Sequence, residues 1–70
     1  MEIKVVAERI REIRRENKLS QTEFGEKLNV SQDTVSLWEK GKSVPSAEYL
    51  VAIAQTFGVS TDYILGLIEY

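Results

Sequence analysis

The stretch Ser20–Gly41, SQTEFGEKLNVSQDTVSLWEKG, decides the fold. It holds two short helical patterns, each opened by a serine, with only Leu28, Asn29 and Val30 between them. Ser20-Gln21-Thr22-Glu23 fits a capping box, in which the serine hydroxyl accepts from the Glu23 amide and the Glu23 carboxylate reaches back. Phe24, Gly25 and Leu28 share one face of the helix that follows. Asn29 tolerates the left-handed conformation that ends a helix. Ser31 caps the next helix, Asp33 in its first turn suits the helix dipole, and Gly41 stops it. Val35 and Trp38, three residues apart, turn inward. The outward face is then Gln32, Asp33, Ser36, Leu37 and Lys40.

Two helices joined by a three- or four-residue turn and crossing steeply make a helix-turn-helix. Gly25 costs about 1 kcal/mol relative to alanine within a helix, which implies a close approach of backbone there. The polar front of the second helix is short enough to enter the major groove of DNA, where each base pair shows its own donor and acceptor pattern. Glutamine can pair bidentately with adenine, aspartate can accept from the cytosine amino group, and leucine can touch a thymine methyl.

The flanking sequence supplies three more helices and no strand. Ile3, Val6, Ala7, Ile10 and Ile13 recur at helical spacing from Ile3 to about Asn17, with charges on the opposite face. Favourable i,i+3 pairs are expected between Glu8 and Arg11 and between Glu12 and Arg15. Arg9, Arg11 and Arg15 read as a solvated face. After the loop Lys42–Pro45, Ser46 caps a fourth helix with Leu50, Ile53, Ala54 and Phe57 as its stripe, ended by Gly58. Ser60 caps a short fifth helix carrying Tyr63, Ile64 and Leu65, closed by Gly66. Tyr49 and Tyr63 are expected to be half-buried. The reading is a single all-α domain over residues 1–70, a compact five-helix bundle with the helix-turn-helix at about 20–41.

A chain of this length buries only about 60% of the surface its unfolded form exposes. It holds no Cys and no His, so disulfides, thiolate metal sites and the usual general base are missing. No cofactor or metal is expected, and enzyme activity is not. The absence of Cys suits a reducing cytoplasm, where the protein is placed, and no apolar run has the length of a membrane span. All nine Lys and Arg lie in residues 1–42, whereas residues 43–70 carry three acids and no base. The overall charge of −2 argues against indiscriminate binding to a polyanion and leaves room for a local basic patch.

The residues Gln21–Lys42, QTEFGEKLNVSQDTVSLWEKGK, resemble the helix-turn-helix of the phage-repressor and Cro-like (XRE-type) regulators. The likeness runs on through Pro45-Ser46 and FGVSTDYILG, Phe57–Gly66, and so covers residues from about 6 to 66. Gly25 and Asn29 stand where many members have alanine and glycine, and both are tolerable there. The resemblance implies a lambda-repressor-like five-helix bundle that binds operator DNA, often as a homodimer. It implies that Gln32, Asp33, Ser36 and Leu37 face bases and that Thr34 reaches base or phosphate. It gives Gln21 a phosphate contact and a brace on Gln32, and gives Lys40, Lys42 and Ser43 the phosphates beyond the recognition helix. Arg14 and Glu39 match a pair that bridges the first and third helices. This agrees with the sequence itself, since Arg14 lies on the apolar face of Ala7 and Ile10 and an inward charge needs a partner.

The apolar chain end, Ile64, Leu65, Leu67, Ile68 and Tyr70, exceeds what five short helices bury. Two readings stay open: a two-fold dimer seam, or the start of a continuing chain. The function expected is sequence-specific binding of double-stranded DNA by a transcriptional regulator, a repressor acting by occupancy. The alternative is an antitoxin-like, protein-interaction module whose apolar end captures a protein partner.

Overall fold

The structure is a computed structural model, which describes residues 2–70. Five helices follow one another: α1 (Ile3–Glu16), α2 (Gln21–Leu28), α3 (Gln32–Glu39), α4 (Ala47–Phe57) and α5 (Thr61–Ile64). No strand occurs among the described residues. No described helix is long and apolar enough to cross a membrane. The helices pack as α2 on α3, α1 on α3, α1 on α5, α4 on α5 and α2 on α4.

The capping signals act where the sequence places them. Ser20 accepts from the Glu23 amide at 3.0 Å, and the Glu23 carboxylate accepts from the Ser20 amide at 2.9 Å, which closes the capping box. These bonds, the one from the Ser20 backbone first, hold the Glu23 carboxyl below its ordinary range. The hydroxyls of Ser31 and Ser60 accept from the Thr34 and Tyr63 amides. Ser46 differs: it holds the cap position of α4 with extended backbone, but its hydroxyl makes no capping bond.

Every helix ends on a left-handed residue: Lys18, Asn29, Gly41, Gly58 and Gly66. At the end of α1 the Leu19 amide donates to the Arg14 carbonyl and the Lys18 amide to the Arg15 carbonyl, the paired closure of a Schellman motif. Lys18 carries that closure at φ 57 with a Cβ, a conformation that strains an L-residue by roughly 1 kcal/mol. A Lys18→Gly variant is therefore expected to gain stability, by about 0.5–1 kcal/mol, seen as a raised urea midpoint with an unchanged slope. A lowered midpoint would show that the strain relieved at Lys18 is smaller than the freedom glycine adds to the unfolded chain.

The core is one cluster: Val6, Ile10 and Ile13 from α1, Phe24 and Leu28 from α2, Val35 and Trp38 from α3, Ile53 from α4 and Ile64 from α5. The Phe24 and Phe57 rings stack with centroids 4.8 Å apart, tying α2 to α4. Trp38 lies in the core, its ring 5.6 Å from that of Tyr49. Gly25 shows why no larger residue stands there. A Cβ at that position would sit 2.5 Å from the Val30 carbonyl oxygen, within the turn that leads into α3.

Three expectations are corrected. Ile3, placed on the inner stripe, is 46% exposed, because it opens α1 at the edge of the bundle, beside Gly41, rather than within the core. Neither i,i+3 pair on α1 forms: among the described residues the ion pairs are both made by Glu39. Arg9 and Arg11 are not a solvated face. Arg9 Nη1 donates to the carbonyls of Tyr63 and Ile68, both at 3.1 Å, and its guanidinium lies 4.2 Å from the Tyr63 ring centroid. The Tyr63 hydroxyl donates to Glu12 at 2.9 Å. Burial, reinforced by that carboxylate, raises the Tyr63 phenol above its ordinary value. α1 thus clamps the end of the chain.

The clamp also corrects the apolar chain end. Ile64 is fully buried and contributes to the core, so it belongs to no exposed seam. Leu65 and Ile68 are half-buried, while Leu67 and Tyr70 are 69% and 91% exposed. An open groove of about 520 Å³ beside them is lined by Ile13, Phe57, Val59, Tyr63, Ile68 and Tyr70 among others.

Candidate nucleic-acid interface

The candidate residues lie on α2, on α3 and in the turn that follows it. The capped start of α3 projects Gln32 and Asp33, both exposed. One turn on, Ser36 is half-buried and Leu37 is 43% exposed, so Leu37 faces outward as expected. Thr34 is half-buried, with its hydroxyl 3.0 Å from that of Ser31 within the cap. α3 ends at Glu39, with Lys40 as its last helical-like residue and Gly41 left-handed at φ +71. In that turn Lys42 is exposed and Ser43 half-buried, and the Lys42 amide bonds back to the Leu37 carbonyl at 3.0 Å.

Behind this front lies a buried carboxylate. Glu39 is 4% exposed and sits at the junction of α1, α2 and α3. Arg14 grips it with two parallel bonds, Nε to Oε2 at 2.7 Å and Nη2 to Oε1 at 3.0 Å, the bidentate fork expected of arginine and carboxylate. The bond to Glu39 raises the Arg14 guanidinium above its ordinary value, outweighing the opposing effect of burial. Arg14 also donates from Nη1 to the Leu19 carbonyl at 3.0 Å. Arg11 donates to the Glu39 backbone carbonyl at 2.8 Å, and its Nε lies 3.7 Å from Oε1. Among the described residues no buried side-chain nitrogen or oxygen lacks a partner.

The pair reaches the front of α3 through Gln21. Gln21 Nε2 donates to Glu39 Oε1 at 3.2 Å, and Gln21 Oε1 accepts from Gln32 Nε2 at 2.6 Å. The brace of Gln21 on Gln32 is therefore present in the free protein. The link from Gln21 to Glu39 and the bond from Arg11 were not foreseen in the sequence. A signal existed for Arg11, which lies three residues before Arg14 and four after Ala7, on the helix flank that meets α3.

These elements are those of known DNA-binding proteins. The sequence pattern of the helix-turn-helix family matches residues 10–64, well over half of the chain. The chain is 34% identical over 65 residues to the repressor protein C2 of Salmonella phage P22, covering 93% of this chain and 30% of that protein. It is 36% identical over 58 residues to the transcriptional activator BcrR of Enterococcus faecalis, covering 83% of this chain and 28% of that one. The chain thus spans less than a third of the length of either relative. The crystal structure of the P22 c2 repressor in complex with a synthetic operator superposes with a TM-score of 0.79 at 34% identity, covering 84% of this chain and 89% of that one. With the matched span, the relatives and the fold in agreement, the chain belongs to the helix-turn-helix family, among its phage-repressor-like members.

Proposed function

We propose that residues 1–70 form the sequence-specific DNA-binding domain of a transcriptional regulator, a repressor that acts by occupying its site. The observation that carries this reading is the front of α3: Gln32, exposed and already braced by Gln21, at the capped start of a helix short enough to enter the major groove. In this reading Gln32, Asp33, Thr34, Ser36 and Leu37 meet base edges. Gln21, Lys40, Lys42 and Ser43 meet phosphates on either side. Gln21 can serve both tasks, since its Nε2 has a second hydrogen beyond the one given to Glu39. Asp33 repels phosphate and so weakens binding to unrelated duplex.

The P22 repressor, solved with a synthetic operator, supports the reading for the fold as a whole. BcrR is named an activator, whereas the P22 C2 and phage phi105 relatives are named repressors, and the repressor reading follows the latter. A second copy, placed one helical turn away on DNA, would give half-sites about 34 Å apart. Leu67 and Tyr70 are the exposed apolar groups available to a two-fold contact, flanked by Leu65 and Ile68.

Site selection from a random duplex library at near-physiological salt tests this function. A palindrome with half-sites about one turn apart is expected. Lys42→Ala is expected to weaken binding evenly across sequences and to lower the salt slope by about 1. Failure to enrich any sequence at any salt would overturn the proposal.

A further inference from the structure

Asp33 is a free acid at the front of α3. It stands at the second position of the helix, since Gln32 is the first. A capping box needs its acid at the third position, as at Glu23 in α2, where the carboxylate accepts from the Ser20 amide. In α3 the third position is Thr34, whose amide and hydroxyl both meet the Ser31 hydroxyl. The cap of α3 is thus closed without Asp33. Among the described residues Asp33 takes part in no ion pair and its carboxylate accepts no hydrogen bond. Both oxygens are therefore open to a partner, and the residue is exposed. An ionised carboxylate accepts hydrogen bonds and donates none.

In the major groove such a group meets acceptors almost everywhere. Guanine shows N7 and O6, thymine shows O4, and adenine sets N7 beside its N6 donor. Cytosine alone shows a donor, N4, with no acceptor of its own. A base-facing Asp33 therefore favours cytosine, and one hydrogen carries the contact. The N4 of a paired cytosine has two hydrogens: one lies in the base pair and the other faces the groove. A methyl group on N4 takes the groove-facing place, because the pairing hydrogen has to stay. It removes the donor that Asp33 needs and leaves the base pair whole.

We propose that Asp33 is a specificity-determining residue that reads cytosine through N4, so that N4-methylation of that one cytosine weakens binding. The inference rests on the DNA-binding reading above. An acid that served only the dipole of α3 would be indifferent both to the base and to the methyl group.

The test begins with site selection on the full chain as wild type, Asp33→Ala and Asp33→Asn. All three retain the Ser31 cap, and the altered side chain is exposed, so each is expected to fold. The position whose preference relaxes in Asp33→Ala is the one Asp33 reads. There the wild type is expected to favour cytosine by about 10-fold or more, and Asp33→Ala by about 2-fold or less. Asp33→Asn offers a donor beside an acceptor, the complement of adenine, and its preference should move from cytosine to adenine. Affinity is then measured for two synthetic duplexes that differ only by a methyl group on N4 of that cytosine. The wild type is expected to lose about 10-fold and Asp33→Ala less than about 2-fold, the scale of the one contact. A wild type that binds both duplexes alike overturns the proposal. So does a preference that relaxes nowhere in Asp33→Ala, and so does a relaxed position at which the wild type favours another base. Failure of the wild type to enrich any site overturns the DNA-binding reading, and is told apart from failure of the Asp33 contact by the absence of any preferred position.

Discussion

A Glu39→Met variant is expected to lose about 3–5 kcal/mol of stability, the usual cost of removing one partner from a buried ion pair. The Arg14 side chain is only 15% exposed and would be left with its Nε and Nη2 facing an apolar group. Its remaining bond, to the Leu19 carbonyl, does not neutralise a charge. Gln21 Nε2 would lose its partner at the same time. A single core in a chain of this size rarely supplies more than about 3–5 kcal/mol, so the variant should be largely unfolded at 25 °C. Removing both charges is a different matter. Arg14→Met/Glu39→Met replaces the pair by apolar side chains of similar length, a change that is often neutral or stabilising, and its urea midpoint should lie close to that of the wild type. A small loss in the single variant would mean that the pair is not desolvated. A large loss in the double variant would mean that the pair stabilises outright. Together the two variants separate the cost of stranding one buried charge from the net worth of the pair: the fold should survive the loss of both charges and not the loss of one.

The local punctuation of this fold was legible because each signal is complete within a few residues. The capping box at Ser20–Glu23 needs four, and the left-handed turn at Asn29 needs one residue and its neighbours. The Arg14–Glu39 bridge was legible for a further reason: a charge on an apolar face demands a partner, and the resemblance named it. Arg9 escaped because nothing near it in sequence distinguishes it from Arg15, which is exposed, and the place of Arg11 beside Arg14 on one flank names no partner for it. Their partners lie far along the chain, at Tyr63, Ile68 and Glu39, and become neighbours only once α5 and the end of α3 have docked. The burial of Ile64 escaped in the same way. Its place on a four-residue helix gives too short a pattern to show which side faces inward, and the turn at Gly66 then carries Leu67 to the outside. The front of α3 was legible as a set of residues. The direction of the hydrogen bonds behind it was not, because that direction begins at a buried oxygen contributed by the far end of the same helix.

Phe24→Ala is expected to cost about 3–5 kcal/mol, comparable with the loss of Glu39 but by another route. Phe24 is fully buried and its ring stacks on Phe57, so truncation removes both a large apolar burial and the aromatic contact between α2 and α4. α2 meets α4 across this contact, and α4 holds α5, so the cavity would open on the joint between the helix-turn-helix and the rest of the bundle. Collapse around it is restricted because the neighbouring Gly25 already packs α2 against the Val30 carbonyl with no room for a Cβ. Phe24→Leu should cost less, because the larger side chain leaves a smaller cavity. The same variants tie stability to function. A duplex carrying the selected site, present at about 100 times its Kd, adds about 2.7 kcal/mol to the folded state by mass action. Phe24→Ala should therefore regain much of its helical circular dichroism when that duplex is added, and little with an unrelated duplex. Recovery with both alike would show that the domain holds DNA by charge alone. Recovery with the selected site only would show that the folded α2–α3 unit, and not the chain's nine cationic residues, recognises it.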